Sequence, residues 1–503
     1  MCRAGAGFGV ERTAAERRRG MAGIAGTADG EQVEWVQSAL RKIGHRGGAG
    51  ESVRAAGGAA LGQVWPSAQE RFAAGVDRAS VVLDGEIYNW TDISAEATSP
   101  LEAVESAYRD QGPGFVSGLD GPFALAITGP DGVFLARDRL GHSPLYHGRP
   151  DGKLRFASEF KALLKWGTDI TEFPPGHYYQ PGEGLVRHAR IEERTPLDLS
   201  EQEIAKGLRG RLVRAVQKRV CDGEVGAWLS GGIDSATLTA LARRQLPRLK
   251  TFAAGVAGAP DLEYARAVAE FVDTEHYERF CTLREMLAVL PAVIYYLESF
   301  DALLVRSSIT NFLVGRLASE HVPAVLSGEG GDELFAGYAR LQELKPEEIP
   351  HELVDITRRL HNTALQRVDR CSASHGLVAR TAFLDREVVD YALRIPAEMK
   401  LRENGSIVEK WILREAVSDL LPDEVINRTK SKFWQGAGVG EQLAVHAEES
   451  IRDEEFAKER TIEGGPTLNT KEELLYYRMF RDVFGSEVGA GLVGRTKGAP
   501  SAK

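Results

Sequence analysis

The stretch VGAWLSGGIDSATLTALARR (225–244) constrains the fold more than any other part of the chain. Val225 to Leu229 reads as a buried strand, Ser230-Gly231-Gly232 as a tight loop, and Ser235 onward as a helix. That helix would turn Ala236, Leu238, Leu241 and Ala242 toward the sheet. A strand, a glycine loop and a helix in that order make the repeating unit of a parallel α/β sheet. Such a loop aims backbone N–H groups and a helix N-terminus at an anion, and its glycines let a phosphate come close. Asp234 inside a phosphate site makes sense when a divalent cation lies between them, and Mg2+ is the hard, oxygen-seeking choice. A bare SGG is also an ordinary flexible turn; the whole of SGGIDS between strand and helix is the more specific phosphate-loop signal.

A second junction of this kind is VPAVLSGEGGDELFAGY (322–338), which carries Ser327, Gly328, Glu329, Gly330, Gly331, Asp332 and Glu333 after an apolar run. Ligands of open α/β sheets bind beyond the carboxyl ends of the strands, so both loops are expected at one pocket, with Asp234 and Asp332 sharing the Mg2+. The competing reading of the second loop is a solvated acidic turn.

The rhythm changes along the 503 residues, which are enough for two or three domains. From Met21 to about Gly184, short apolar runs broken by Gly, Pro and Asp (SVVLDGEIYNW, GPFALAITGPDGVFLARD, KLRFASEF, GHYYQPGEG) predict antiparallel sheets with hairpin turns. From about Gln202 onward, helical patterns alternate with brief strands. DLEYARAVAEFV, for example, sets Leu262, Ala265, Val268, Ala269 and Val272 on one helical face. RTPLDLSEQE between the halves reads as a linker, and no internal repeat is found.

Composition excludes several classes. No run of about 18 apolar residues is present to span a bilayer, and the net charge of −10 is spread without a basic stripe, so neither membrane nor nucleic acid is expected as a partner. Cys2, Cys221, Cys281 and Cys371 lack metal-ligand or paired spacing and read as reduced thiols of a cytoplasmic protein. Residues 1–20 contain arginines but no apolar segment of a secretory signal; they are expected to be a disordered extension, or Met21 is the natural start. The tail 486–503 is small, polar and expected to be disordered.

SGGIDS is similar to the pyrophosphate loop of the ATP pyrophosphatases. Together with LSGEGGDELFAGY, DRCSASHGLVARTAFLDREVVDYALRIP, EKWILREA and NRTKSKFWQGAGVG, it resembles the synthetase domain of asparagine synthetases. The first half follows the glutaminase domain of that family through MAGIAG, HRG (45–47), DGEIYN (84–89), LDGPFALAI, ARDRLGHSPLY, FASEFKAL and EFPPG. The likeness runs from about Met21 to Phe484, and the β-lactam synthetases share the architecture. It implies an Ntn-hydrolase-like antiparallel β-sheet sandwich over 21–195 and an ATP-pyrophosphatase-type parallel α/β domain over 200–485, hence α+β followed by α/β.

The resemblance also implies a reaction. A small-molecule carboxylic acid attacks the α-phosphorus of ATP, pyrophosphate leaves, and ammonia or an amine displaces AMP. Ser230, Gly231, Gly232, Asp234 and Ser235 would hold pyrophosphate, and Asp234 and Asp332 would hold Mg2+. Backbone near Leu229, Ala254, Ser327 and Gly328 would receive the adenosine. Lys430, in the NR-x-K segment, would reach the intermediate; a fixed cation there stabilises charge that develops on the carbonyl oxygen and the departing AMP. RTKSK read alone is also a basic surface patch. Glu329 matches asparagine synthetases, where β-lactam synthetases carry tyrosine, and a carboxylate there can accept a proton from an incoming nitrogen.

The chain departs from the family pattern where glutamine would react. Glutaminases of this class use an N-terminal cysteine with its own α-amino group as base, and here that place holds Ala22. RGPD is replaced by Arg46-Gly47-Gly48-Ala49, NGEIYN begins with Asp84 ahead of Gly85 and Glu86, and the acidic SD pair is Ser99-Pro100. A domain that kept its fold and lost its reaction is the expectation, with Met1-Cys2-Arg3 the one competing nucleophile. In the synthetase half GVEARVPFLD becomes GLVARTAFLD, with Val378 for glutamate and Ala382 for proline; the acid is expected to be aspartate or, if that glutamate shapes the acid pocket, a specialised-metabolite acid. Arg306, Arg380 and Asp385 are candidates to orient that acid; arginine is equally common in structural ion pairs. A glutamine-hydrolysing asparagine synthetase and a non-catalytic nucleotide-binding protein are the alternatives, and a homodimer is a candidate assembly.

Overall fold

The structure is a computed structural model that describes residues 22–48, 50–65, 80–129, 132–167, 169–221, 224–403, 407–428, 438–485 and 488–497. Among them the first half forms two antiparallel sheets. Strands β1 (Gly23–Thr27), β2 (Gly50–Ala56), β3 (Ala59–Trp65), β4 (Val81–Gly85), β5 (Phe123–Gly129), β6 (Gly132–Arg137), β7 (Tyr146–Gly148), β8 (Arg155–Ala157), β9 (Thr171–Glu172), β10 (His177–Gln180) and β11 (Gly184–Arg187) divide into the orders β2-β3-β1-β8-β7-β9 and β11-β10-β6-β5-β4. Strand β1 lies between β3 and β8, with Ala25 opposite both Gly62 and Ala157. Ile24, Leu61 and Phe156 of one sheet pack with Val82, Ala124, Ala126 and Leu135 of the other, because alternate residues of each strand point into the gap.

The second half is built on a parallel sheet. Strands β12 (Val225–Trp228), β13 (Lys250–Gly255), β14 (Glu275–Phe280), β15 (Ala324–Ser327) and β16 (Val378–Thr381) run in the order β14-β13-β12-β15-β16. The helices Ile233–Arg243 and Pro260–Phe271 cover one face, burying Ala236, Leu238 and Leu241, and Leu262, Ala265 and Val268. The helix Ala302–Ser319 covers the other face, against Trp228, Phe252 and Val325. A short hairpin, β17 (Leu401–Glu403) and β18 (Ile407–Glu409), leads into the helix Trp411–Val417. Buried Ala25, Trp35 and Phe160 of the first half join Leu297, Phe300 and Phe480 of the second in one apolar cluster.

Two expectations are corrected. Residues 194–203 do not end as linker: Ser200 and Glu203 form a capping box that starts the helix Glu201–Val220. The tail is ordered over 488–497, where Thr496 hydrogen-bonds Asp301 (2.8 and 3.0 Å) and Lys497 pairs with Glu352 and Asp355 (2.7 Å each). Residues 1–20, including Cys2, lie outside the described residues, as do Met21, Ala49 and the Pro130-Asp131 turn. Ser99-Pro100 starts a helix, with the Ser99 hydroxyl accepting from the Glu102 N–H and Pro100 at the first position. Among the described residues no single helix is long and apolar enough to cross a membrane.

Candidate functional site

The loops after β12, β13 and β15 meet in one cleft beyond the carboxyl ends of the parallel strands. Ser230 and Ser235 shape the first loop: the Ser235 hydroxyl accepts from the Ser230 N–H (3.1 Å) and donates to the Gly232 carbonyl (3.1 Å). Gly231 takes φ +69°, and a Cβ on it would lie 2.6 Å from the Ala265 nitrogen, so glycine is required there. The helix begins at Ile233, two residues earlier than its sequence pattern suggests, which puts Asp234 and Ser235 in its first turn. Ser230, Gly232, Asp234 and Ser235 thus line the cleft with Leu229, Ala254, Ser327, Gly328, Glu329 and Asp332.

Sequence reasoning quoted EKWILREA without assigning its lysine. Lys410 proves to be the cation between the two aspartates: its Nζ lies 2.5 Å from a carboxylate oxygen of Asp234 and 2.5 Å from one of Asp332. Burial opposes its charge, but the two carboxylates outweigh burial and hold its pKa above the ordinary lysine range. Its backbone is left-handed (φ +57°), and Gly337 leaves it room; a Cβ there would fall 2.1 Å from Asp332 Oδ1 and 2.3 Å from Lys410 Cε. The available signal was the EK pair just before an amphipathic helix, too short to assign without the tertiary contact.

Asp234 and Asp332 therefore face a single point. Two hard, anionic oxygen donors suit Mg2+, and among the described residues no group of three or more His, Cys, Asp or Glu could hold a metal ion. The donor set fits a metal whose coordination is completed by phosphate oxygens.

Glu329 accepts a charge-assisted hydrogen bond from Arg367 of the helix Ala364–Ala373. Its neighbour Glu333 is buried, receives the Tyr338 hydroxyl at 2.5 Å, and has its pKa pushed up to about 7 by burial and by Asp332 and Glu329. Arg428 pairs with Asp261 at 2.5 Å and stacks over Tyr264; Lys430 lies outside the described residues.

The weaker candidates go elsewhere. Arg306 pairs with Glu472, Arg380 with Glu86 (2.6 Å), and Asp385 with Arg219 (2.9 Å) and Lys218 (3.2 Å); none of the three lines the cleft. Val378 stands at the amino end of β16, opposite Ala324, and Ala382 is buried, so neither replacement borders the cleft.

In the first half, the side chains expected around glutamine are joined in an ion-pair cluster. Arg46 is completely buried; its guanidinium grips Asp369 with two bonds of 2.9 Å, reaches Glu159 at 3.0 Å and Asp84 at 3.2 Å, and donates from Nε to the Ala22 carbonyl at 3.0 Å. Asp84 also accepts from Ser158 (2.7 Å), and burial pushes its pKa up to about 6 despite Arg46. Gly85 takes φ +127° and Glu86 is held by Arg380.

Two family models match the chain: Asparagine synthase over residues 207–352 and 345–492, and Glutamine amidotransferase domain over 21–175. The probable glutamine-hydrolyzing asparagine synthetase of Schizosaccharomyces pombe is 34% identical over 80% of this chain and 81% of its own length. The glutamine-hydrolyzing asparagine synthetase B of Escherichia coli is 32% identical over 80% of this chain and 78% of its own. Strands β1 to β9 fall within the amidotransferase match and the parallel sheet with its acidic cleft within the synthase match, so the chain belongs to the asparagine synthetase family and is a carbon–nitrogen ligase of that type.

Proposed function

We propose that this ATP-dependent amide ligase activates a small-molecule carboxylic acid as its acyl-adenylate and passes the acyl group to ammonia or an amine, without drawing nitrogen from glutamine. The observation that carries the reading is the ion cluster at Ala22. A methyl group stands where a nucleophile is needed, its carbonyl is tied to Arg46, and Arg46 is occupied by Asp369, Glu159 and Asp84.

In the first step a carboxylate oxygen forms a bond to the α-phosphorus and the bond to the β-phosphate oxygen breaks. The Ser230–Ser235 loop would hold the departing pyrophosphate, and Asp234 and Asp332 would hold Mg2+, which when bound offsets phosphate charge. In the second step nitrogen adds to the acyl carbon, the C–O bond to AMP breaks, and Glu329 takes a proton from nitrogen. Lys430 is the cation proposed to stabilise the charge that develops there.

Arg367, Arg414, Arg428 and Lys410 all line the cleft, and each has an acidic partner in Glu329, Glu409, Asp261 or the aspartate pair. A second substrate carboxylate finds no uncommitted cation among these described residues, which favours a monocarboxylic acid over aspartate. An ATP–pyrophosphate exchange screen over aspartate and monocarboxylic acids tests this. Exchange with aspartate alone would return the chain to ordinary asparagine synthesis, and exchange with no acid would remove the adenylation step.

A further inference from the structure

The cleft has two ends of opposite character. Ser230, Asp234, Asp332 and Lys410 make one of them polar and charged, whereas Trp228, Phe252, Ala254 and Val314 supply an uncharged wall. That wall lies on the sheet face covered by the Ala302–Ser319 helix. One polar side chain is set into it. Asn311, three residues before Val314 on the same helical face, lines the cleft and is only 4% exposed. Among the described residues its Oδ1 receives no hydrogen bond, and the Trp228 Nε1 in the same wall donates none. A buried acceptor without a partner is destabilising, because the hydrogen bond it loses from water is not replaced. A leucine would occupy the position without that cost, so the carboxamide is explained by a ligand that supplies the missing partner.

The geometry points to Asn311 as the residue that reads the adenine base of ATP, its Oδ1 accepting from the exocyclic N6 amino group and its Nδ2 donating to N7. This rests on the ATP-dependent reading above. A polyphosphate held at the charged end sends the nucleoside toward the uncharged end, where a flat aromatic and aliphatic wall suits a purine face. A carboxamide presents one acceptor beside one donor, and adenine presents the matching donor and acceptor at N6 and N7, the pairing by which Asn reads adenine in nucleic acids. Guanine and hypoxanthine offer two acceptors, O6 and N7, on that edge. Their O6 would face the carboxamide oxygen, so Asn311 selects against them.

The test is calorimetric binding of ATP, ITP and purine riboside triphosphate, each with Mg2+, to the full chain and to Asn311→Leu and Asn311→Ser. No acid substrate is needed. ATP should bind the parent chain about tenfold or more tighter than ITP, the value of one good polar pair. Both variants should lose most of that preference while binding purine riboside triphosphate, which lacks the amino group, nearly as the parent does. Asn311→Ser keeps the position small and polar should the leucine variant fold poorly. An unchanged ATP-to-ITP ratio in a folded variant overturns the assignment, as does a variant that shifts the KM for the acid in pyrophosphate exchange while leaving that for ATP unmoved. ATP binding without exchange on any acid would count against the adenylation reading alone. No ATP binding by the parent chain would overturn both.

Discussion

Lys410 is the residue on which the charge balance of the cleft depends. With the partly exposed Asp234 and Asp332, the buried Lys410 forms a triad of net charge −1, and taking away the ammonium leaves two carboxylates facing each other. Breaking a fully buried pair costs on the order of 3–5 kcal/mol, and the partial exposure of the aspartates lowers that cost. Lys410→Gln should therefore lower the thermal midpoint by several degrees or more. Millimolar Mg2+ should restore part of the loss in Lys410→Gln and little in the parent, because a divalent cation can replace the ammonium between the same oxygens. Equal Mg2+ effects on both proteins would show that the aspartates do not share a cation site. Asp234→Asn and Asp332→Asn should each suppress pyrophosphate exchange. Glu329→Gln should impair amide formation more than exchange, with a defect that shrinks at high pH, where more of the amine arrives deprotonated; equal, pH-independent loss of both would assign Glu329 to nucleotide binding. The sequence made Asp234, Asp332 and Glu329 legible because each sits in a glycine loop whose backbone reason can be read locally. Lys410, Arg367 and Asn311 were not legible, since each acquires meaning only from side chains far away along the chain.

Elements were easier to read than their joints. The strand at 225–229, its following helix and the apolar face of Pro260–Phe271 are written in local periodicity, and the structure differs by a residue or two at the ends. Ser200-Glu201-Gln202-Glu203 carried a capping signature that the polar composition of the stretch obscured. The joints between the halves are ion pairs with no local signal at all. Strand β9 ends in Glu172, which accepts from Arg137 of β6 at 2.8 Å and pairs with His361 of the second half at 2.8 Å. Burial alone would raise its pKa, but His361 and Arg137 outweigh burial and bring it down to about 2. A carboxylate with a lowered folded-state pKa stabilises the fold above its unfolded value of 4.5 and loses that contribution as pH falls through 2. By this linkage the ionised group contributes up to about 3 kcal/mol at neutral pH. Glu172→Gln should lower the urea midpoint at pH 7 and approach the parent near pH 2–3. A difference between the two proteins that stays constant down to pH 2 would mean that the glutamate contributes through packing instead of charge.

At the scale of the molecule the first half has become part of the second. Arg46 and Glu159 of the antiparallel half bind Asp369 and Arg370 of the helix Ala364–Ala373, which also carries Arg367, the partner of Glu329 in the cleft. One helix thus connects the ion cluster at Ala22 with the proposed proton acceptor, and the apolar core continues across both halves. Under the proposed loss of glutamine chemistry, the amidotransferase fold still has a structural role: removing it would leave Asp369 and Arg370 without their partners and expose the apolar residues shared with Phe300 and Phe480. On the same proposal, glutamine use is blocked by the whole ion cluster and not by one residue. Ala22→Cys in a chain shortened to begin at Met21, so that methionine removal frees the cysteine α-amino group, supplies both the nucleophile and its base. It should nevertheless release no glutamate from glutamine above background, because Arg46 remains bound to Asp369 and Glu159, Asp84 stays buried against it, and Ser99-Pro100 caps a helix where the amine clamp is needed. Ammonia should support amide formation in that variant as in the parent. Glutamate release by Ala22→Cys at a rate that saturates with glutamine would show that the ion cluster opens readily, and that the cysteine alone separates this chain from a glutamine-hydrolysing enzyme.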